Sequence, residues 1–236
     1  MKTLEILIAI DPTNSFCPGG ELPVTDGDKI MPVINRLTKS KKFDAAILVT
    51  EEHPKGHISF ASSHPGKKIF DTILLPGGHT QILWPDHSLA GTKGCKPHPA
   101  LELTGFTHRL IKGQFIDADA HSGFRDNDKK KETGLRELIL SMAQQQGIPP
   151  TRIRLTIVGL ALDYCVGLTA LDAREYGFRT RVLVDATRSV AVDSELEMLK
   201  QLAAQGVELS TSREILRSRE RVVGRGNNLS LKVGVL

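Results

Sequence analysis

What most constrains this chain is the regular alternation along it of short aliphatic runs and helix-like segments. The runs are LEILIAI at 4–10, AAILVT at 45–50, HRLIKG at 108–113, RIRLTIVGL at 152–160, RTRVLVDA at 179–186 and VELS at 207–210. Runs of this kind belong to strands covered on both faces, which is the condition of strands in a parallel sheet. Between them lie helical patterns. Residues 29–41 place Ile30, Val33, Ile34 and Leu37 on one side, and Thr133 reads as the cap of a helix that carries Leu135, Leu138, Ile139 and Met142 as far as Gly147. DYCVGLTALDAREYG and VAVDSELEMLKQLAAQG read as two more helices, each stopped by glycine. The pattern is that of an open α/β sheet in one domain. Aromatic residues make up only 5% of the chain, so the core must be built from Ile, Leu, Val and Ala.

The net charge of +4 is local. Arg217, Arg219, Arg221, Arg225 and Lys232 face Glu220 alone, so the segment 217–236 carries 5 − 1 = +4 and the preceding 216 residues balance. We read 1–216 as one folded domain and 217–236 as a basic tail. The tail has neither the aromatic platforms nor the zinc-finger spacing of a nucleic-acid reader, and no nucleic-acid partner is expected. Cys17, Cys95 and Cys165 form no CxxC pair, which points to a reducing compartment and to the cytoplasm. MKTLEILIAIDP reads as a first strand, not a leader, and no run reaches the roughly 20 apolar residues that span a bilayer.

Three chemistry-bearing residues fall near the C-terminal ends of expected strands, the edge where open α/β sheets place their sites. Cys165 sits where RIRLTIVGL gives way to a helix, and the first free N–H groups of a helix favour a thiolate and can hold an oxyanion. Small residues at Gly159 and Ala161 permit a close approach of backbone to substrate, while Asp163 fits a helix cap. Asp11 ends the first strand, where burial would raise its pKa and make it a proton acceptor; Lys112 ends the third, where it would orient that carboxylate. TEEHPKGH places Glu51 and His53 on one face of an extended segment, with His57 returning after a bend, and WPDH adds His87. This donor set suits Zn, Fe or Mn, although HExxH is absent. His64, His79, His98 and His108 are weaker candidates. Phe16 and Trp84 could flank a planar ring, and Asp117, Asp119 and His121 form a polar cluster of supporting or loop-capping groups. The long stretch from 51 to 106 carries no strong periodicity and reads as a functional insertion.

The ordered set AIDPTNSFCPGGELPV, TEEHPKGHISFAS, LWPDH, IKGQFIDADAHSGF and IVGLALDYCVGLTALDA resembles the nicotinamidase and pyrazinamidase group of the isochorismatase-like cysteine hydrolases. The resemblance implies a three-layer α/β/α fold with a central six-stranded, mostly parallel sheet. It also implies an Asp11–Lys112–Cys165 triad, an oxyanion hole at the Ala161 and Cys165 N–H groups, and a cis peptide before Ala161. One divalent metal ion would sit on Glu51, His53 and His87, with His57 a ligand in some members, and Phe16 and Trp84 would pack the ring. The implied reaction is hydrolysis of nicotinamide, and of pyrazinamide, through a thioester. The partner is a small-molecule amide, with homo-oligomers open and no membrane expected. Departures are Glu51 where aspartate is usual, Thr13 and Ser15 in the opening motif, Leu162 for threonine, and His121 for tyrosine. The rival readings are an amidase of the same superfamily acting on carbamoyl or ureido substrates, and a catalytically silent interaction protein. A dinucleotide binder is opposed by the lack of GxGxxG.

Overall fold

The computed structural model describes residues 2–75 and 78–217. The basic tail, apart from Arg217, lies outside them. Strands β1 (Leu4–Ile10), β2 (Ala45–Glu51), β5 (His108–Lys112), β6 (Ile153–Leu160), β7 (Arg179–Arg188) and β8 (Glu208–Ser210) form one sheet in the order β5-β2-β1-β6-β7-β8. Every pairing in it is parallel. A separate antiparallel hairpin joins β3 (Thr72–Leu74) to β4 (Thr80–Ile82) inside the stretch that lacks periodicity. Strands of three residues are too short to register as alternation, and this element was not expected.

The helices are α1 (Met31–Lys39), α2 (Leu135–Gln145), α3 (Gly167–Glu175), α4 (Val192–Ala204) and α5 (Ser212–Arg217). Leu4, Ile6, Ile8 and Ile10 of β1 enter the core that contains Leu135 and Ile139 of α2, Ala170 and Ala173 of α3, and Met198 and Leu202 of α4. Leu7 and Ala9 enter the other core, with Met31, Ile34 and Leu37 of α1 and Ile215 of α5. The period-two alternation of side chains thus feeds two hydrophobic layers from one strand, which is why the run is aliphatic throughout. The result is a three-layer α/β/α sandwich. No helix among the described residues is long and apolar enough to cross a membrane.

The chain leaves β1 toward β2 on one side and later enters β6 on the other, so the sheet order reverses between β1 and β6. A crevice opens at such a point, beyond the strands' C-terminal ends. Gly159 makes the closeness of β1 and β6 possible. Its φ is +119°, and a Cβ there would lie 1.9 Å from Ile10 O. The β6–β7 register also breaks between Ile157 and Gly159.

Candidate active site

Asp11 follows β1, Lys112 ends β5, and Cys165 lies in a π-type turn, Leu162–Val166, between β6 and α3. All three are buried. Lys112 Nζ stands 3.0 Å from Asp11 Oδ2 and 3.5 Å from Cys165 Sγ, and it donates to Ala120 O at 2.8 Å and to Glu51 Oε1 at 2.7 Å. Glu51 and Lys112 are register partners across β2 and β5, so the sheet itself sets that pair. Asp11 Oδ2 is ion-paired with Lys112 while Oδ1 has no hydrogen-bond partner, which leaves the carboxylate free to accept a proton. One Asp11 oxygen, one Glu51 oxygen and Cys165 Sγ lie within 4.8 Å of one another. Burial pushes the Asp11 carboxyl up to about 6 against the opposing charge of Lys112. Burial would lower the Lys112 ammonium, but Asp11, Cys165 and Glu51 together hold it well above its ordinary value. The lysine is therefore a fixed positive charge.

One expectation fails. The thiol at the head of the helix was expected to be thiolate-prone, yet burial, reinforced by Asp11 and Glu51 and only partly offset by Lys112, holds Cys165 well above the usual thiol range. The dry setting outweighs the helix end. Asp163, expected to cap the helix of Cys165, instead accepts from Val190 N, Ala191 N and Ser194 Oγ and so ties this turn to the segment that leads into α4. The Leu160–Ala161 peptide is cis.

Beside this cluster, Nε2 of His53 and Nε2 of His87 approach Glu51 Oε2 at 3.3 and 3.1 Å. Their Nδ1 atoms lie 2.8 Å from the carbonyls of Gly113 and Pro85. A carbonyl can only accept, so each Nδ1 carries a proton, and in the neutral ring each Nε2 presents a lone pair. Glu51 Oε2 and His53 Nε2 are buried with no hydrogen-bond partner. Three electron-pair donors crowd one point with nothing between them, and a divalent cation is what such a set fits. The charge balance agrees, since the buried carboxylates Asp11, Glu51 and Asp119 outnumber the one ammonium of Lys112. Gly113 is required here. Its φ is +75°, and a Cβ would sit 2.6 Å from His53 Cε1. His57 stacks on His53 with ring centroids 4.0 Å apart. Its Nδ1 is 2.8 Å from Ser59 Oγ and its Nε2 3.3 Å from Ala118 O. His53, His57 and Asp119 form a second close group, but there the His57 nitrogens and both Asp119 oxygens already have partners.

A cleft opens over Cys165 and is walled by Phe16, Trp84, Glu51, His87, Ala161, Tyr164, Asp119 and His121, with Leu22 and Val190 at its sides. Phe16 and Trp84 thus both reach the cleft, as expected from their positions. Asp119 and His121 were read as support and prove to be walls, whereas Asp117 is exposed and paired with Lys131. Tyr164, Leu22 and Val190 were not singled out. Tyr164 sits beside Cys165, and that adjacency was the only signal for it. His79 pairs with Asp128, and His64, His98 and His108 take local partners away from the cleft.

Residues 5–214 match the Isochorismatase domain family. The chain is 39% identical over 211 residues to a nicotinamidase from Acinetobacter baylyi, covering 89% of this chain and 94% of that one. Among solved structures, it is similar to the nicotinamidase/pyrazinamidase of Acinetobacter baumanii, with a TM-score of 0.81 and 36% identity over 92% of this chain and all of that one. The pyrazinamidase of Pyrococcus horikoshii, in complex with zinc, aligns with a TM-score of 0.66 and 30% identity, covering 88% of this chain and 98% of that one. From the switch-point cleft, the buried residues around Cys165 and these matches, the chain belongs to the isochorismatase domain family.

Proposed function

We propose that this protein hydrolyses nicotinamide to nicotinate and ammonia through a thioester on Cys165, and that pyrazinamide, which offers the same carboxamide with a ring nitrogen in the same relation, is also a substrate. The observation that carries the reading is the convergence of a buried carboxylate, a fixed ammonium and a thiol at the base of one cleft. Because the resting thiol is protonated, Asp11 takes its proton as Sγ attacks the carboxamide carbon, and Lys112 steadies the resulting charge. The N–H groups of Ala161 and Cys165 face the oxygen that becomes negative. Asp11 then hands the proton to the departing ammonia. It next draws a proton from the water that cleaves the thioester, releasing nicotinate and restoring the thiol. Phe16 and Trp84 hold the ring and exclude water.

Glu51, His53 and His87 are assigned to one divalent ion, with zinc the first choice and iron or manganese compatible with the same donors. Bound there, the ion would supply Lewis acidity and a fixed positive charge facing the substrate ring. His57 is left as the support beneath His53. The buried free thiols fit a reducing cytoplasm. Hydroxylamine added during turnover tests the intermediate. A thioester yields nicotinohydroxamate in the unsubstituted protein and none in C165A. Turnover with no hydroxamate at high hydroxylamine would rule out the acyl-enzyme.

A further inference from the structure

His121 lines the cleft beside Cys165, with its ring 5.6 Å from that of Tyr164 and 6.3 Å from that of Trp84. Its backbone N–H donates to Asn127 Oδ1 at 3.0 Å, so the residue is anchored from behind. One ring nitrogen, Nε2, faces Asp119 Oδ2 across 3.5 Å. Asp119 is itself fixed. Gln81 Nε2 donates to Oδ2 at 2.9 Å, and the Ala120 N–H donates to Oδ1 at 2.8 Å. A neutral imidazole carries one proton, and the nitrogen that faces a carboxylate keeps it. Nδ1 is then a lone-pair acceptor, and among the described residues it has no hydrogen-bond partner.

A primary carboxamide brings two N–H donors into this cleft. The other acceptors in its wall are committed. Glu51 serves Lys112 and the metal donors, and Asp119 accepts from Gln81 and Ala120 and faces His121 Nε2. Asp11 must be ready for the thiol proton. We propose, resting on the amidase reading above, that His121 Nδ1 accepts a hydrogen bond from the substrate's carboxamide N–H₂, and that Asp119 is the positioning residue that sets this tautomer. His121 thereby selects an amide over its own product. Nicotinate has no N–H to offer, and its carboxylate would meet a lone pair.

The test compares two ligands that share a ring and differ in the N–H₂ group. These are nicotinamide, read by kcat/KM, and nicotinaldehyde, read by the Ki of its reversible addition to Cys165. Both are measured at about pH 8, where an imidazole is neutral. His121→Phe lowers kcat/KM for nicotinamide about tenfold, the size of one lost neutral hydrogen bond to substrate, and leaves the nicotinaldehyde Ki within about twofold. His121→Asn, whose Oδ1 falls near the position of Nδ1, recovers most of the loss. Asp119→Asn loses part of the amide rate without moving the aldehyde Ki, which a merely structural role would also weaken. Equal losses for both ligands, or no loss for the amide in His121→Phe, overturn the proposal. Failure of the parent reading looks different, because the unsubstituted, metal-loaded protein would then neither release ammonia nor be inhibited by the aldehyde.

Discussion

Lys112 is the residue on which the site turns. It is a buried ammonium between two buried carboxylates, and its loss leaves both uncompensated. Lys112→Met is expected to abolish turnover and to cost about 3–5 kcal/mol of stability, the range for breaking a buried ion pair, measured by the urea midpoint at constant m-value. With Asp11 as the proposed base, the pH dependence follows its titration. Burial raises its pKa from 3.8 to about 6, so the base is lost as pH falls through about 6, well before an exposed aspartate would protonate. The acid limb of kcat/KM should bend near that value, whereas a limb near 4 would mean that Asp11 is not the base. Glu51→Ala should leave the protein without bound metal by elemental analysis, and full stoichiometry in that variant would remove Glu51 from the ligand set. Asp11, Lys112 and Cys165 could be picked out in the sequence because each stands at a strand end. The walls Tyr164, Leu22 and Val190 could not, because nothing in a linear pattern tells which loop side chains turn inward.

At the scale of elements, the link from β6 to α3 does the most to build the site. A methyl group at Gly159 would drive into the β1 carbonyl of Ile10, and the backbone there has positive φ. Gly159→Ala should destabilise by more than about 3 kcal/mol and slow turnover by shifting Asp11 relative to Cys165; a fold stability within about 1 kcal/mol of the parent would mean that the two strands can separate at no cost. Asp163 ties this link to α4 through three hydrogen-bonded groups, and one of them, Val190, walls the cleft. Strands buried on both faces were readable as aliphatic runs, and amphipathic α1, α2 and α4 as periodic ones. The β3–β4 hairpin and α5 were not, since three-residue strands and a six-residue helix carry too few positions to make a period. The thiol's environment was also illegible. Its helix-end position is local, but its burial depends on elements distant in sequence.

At the scale of the whole molecule, one sheet edge brings together residues from positions 11 to 190, and a cation at Glu51, His53 and His87 would join β2 to the loop carrying Trp84 and His87. Binding to the folded state alone adds about 2.7 kcal/mol at a hundredfold excess over Kd. For a domain of this size that corresponds to a Tm shift of about 5–10 °C. Chelation should lower Tm by that amount and zinc should restore it; an unchanged Tm would mean that no ion bridges these elements. The most direct test of the account is ammonia release from nicotinamide by the metal-loaded protein beside its C165A variant. Rapid release by the first and none by the second, with both folded, is the expected result. Release that survives in C165A, or no release by the folded, metal-loaded parent, would contradict it.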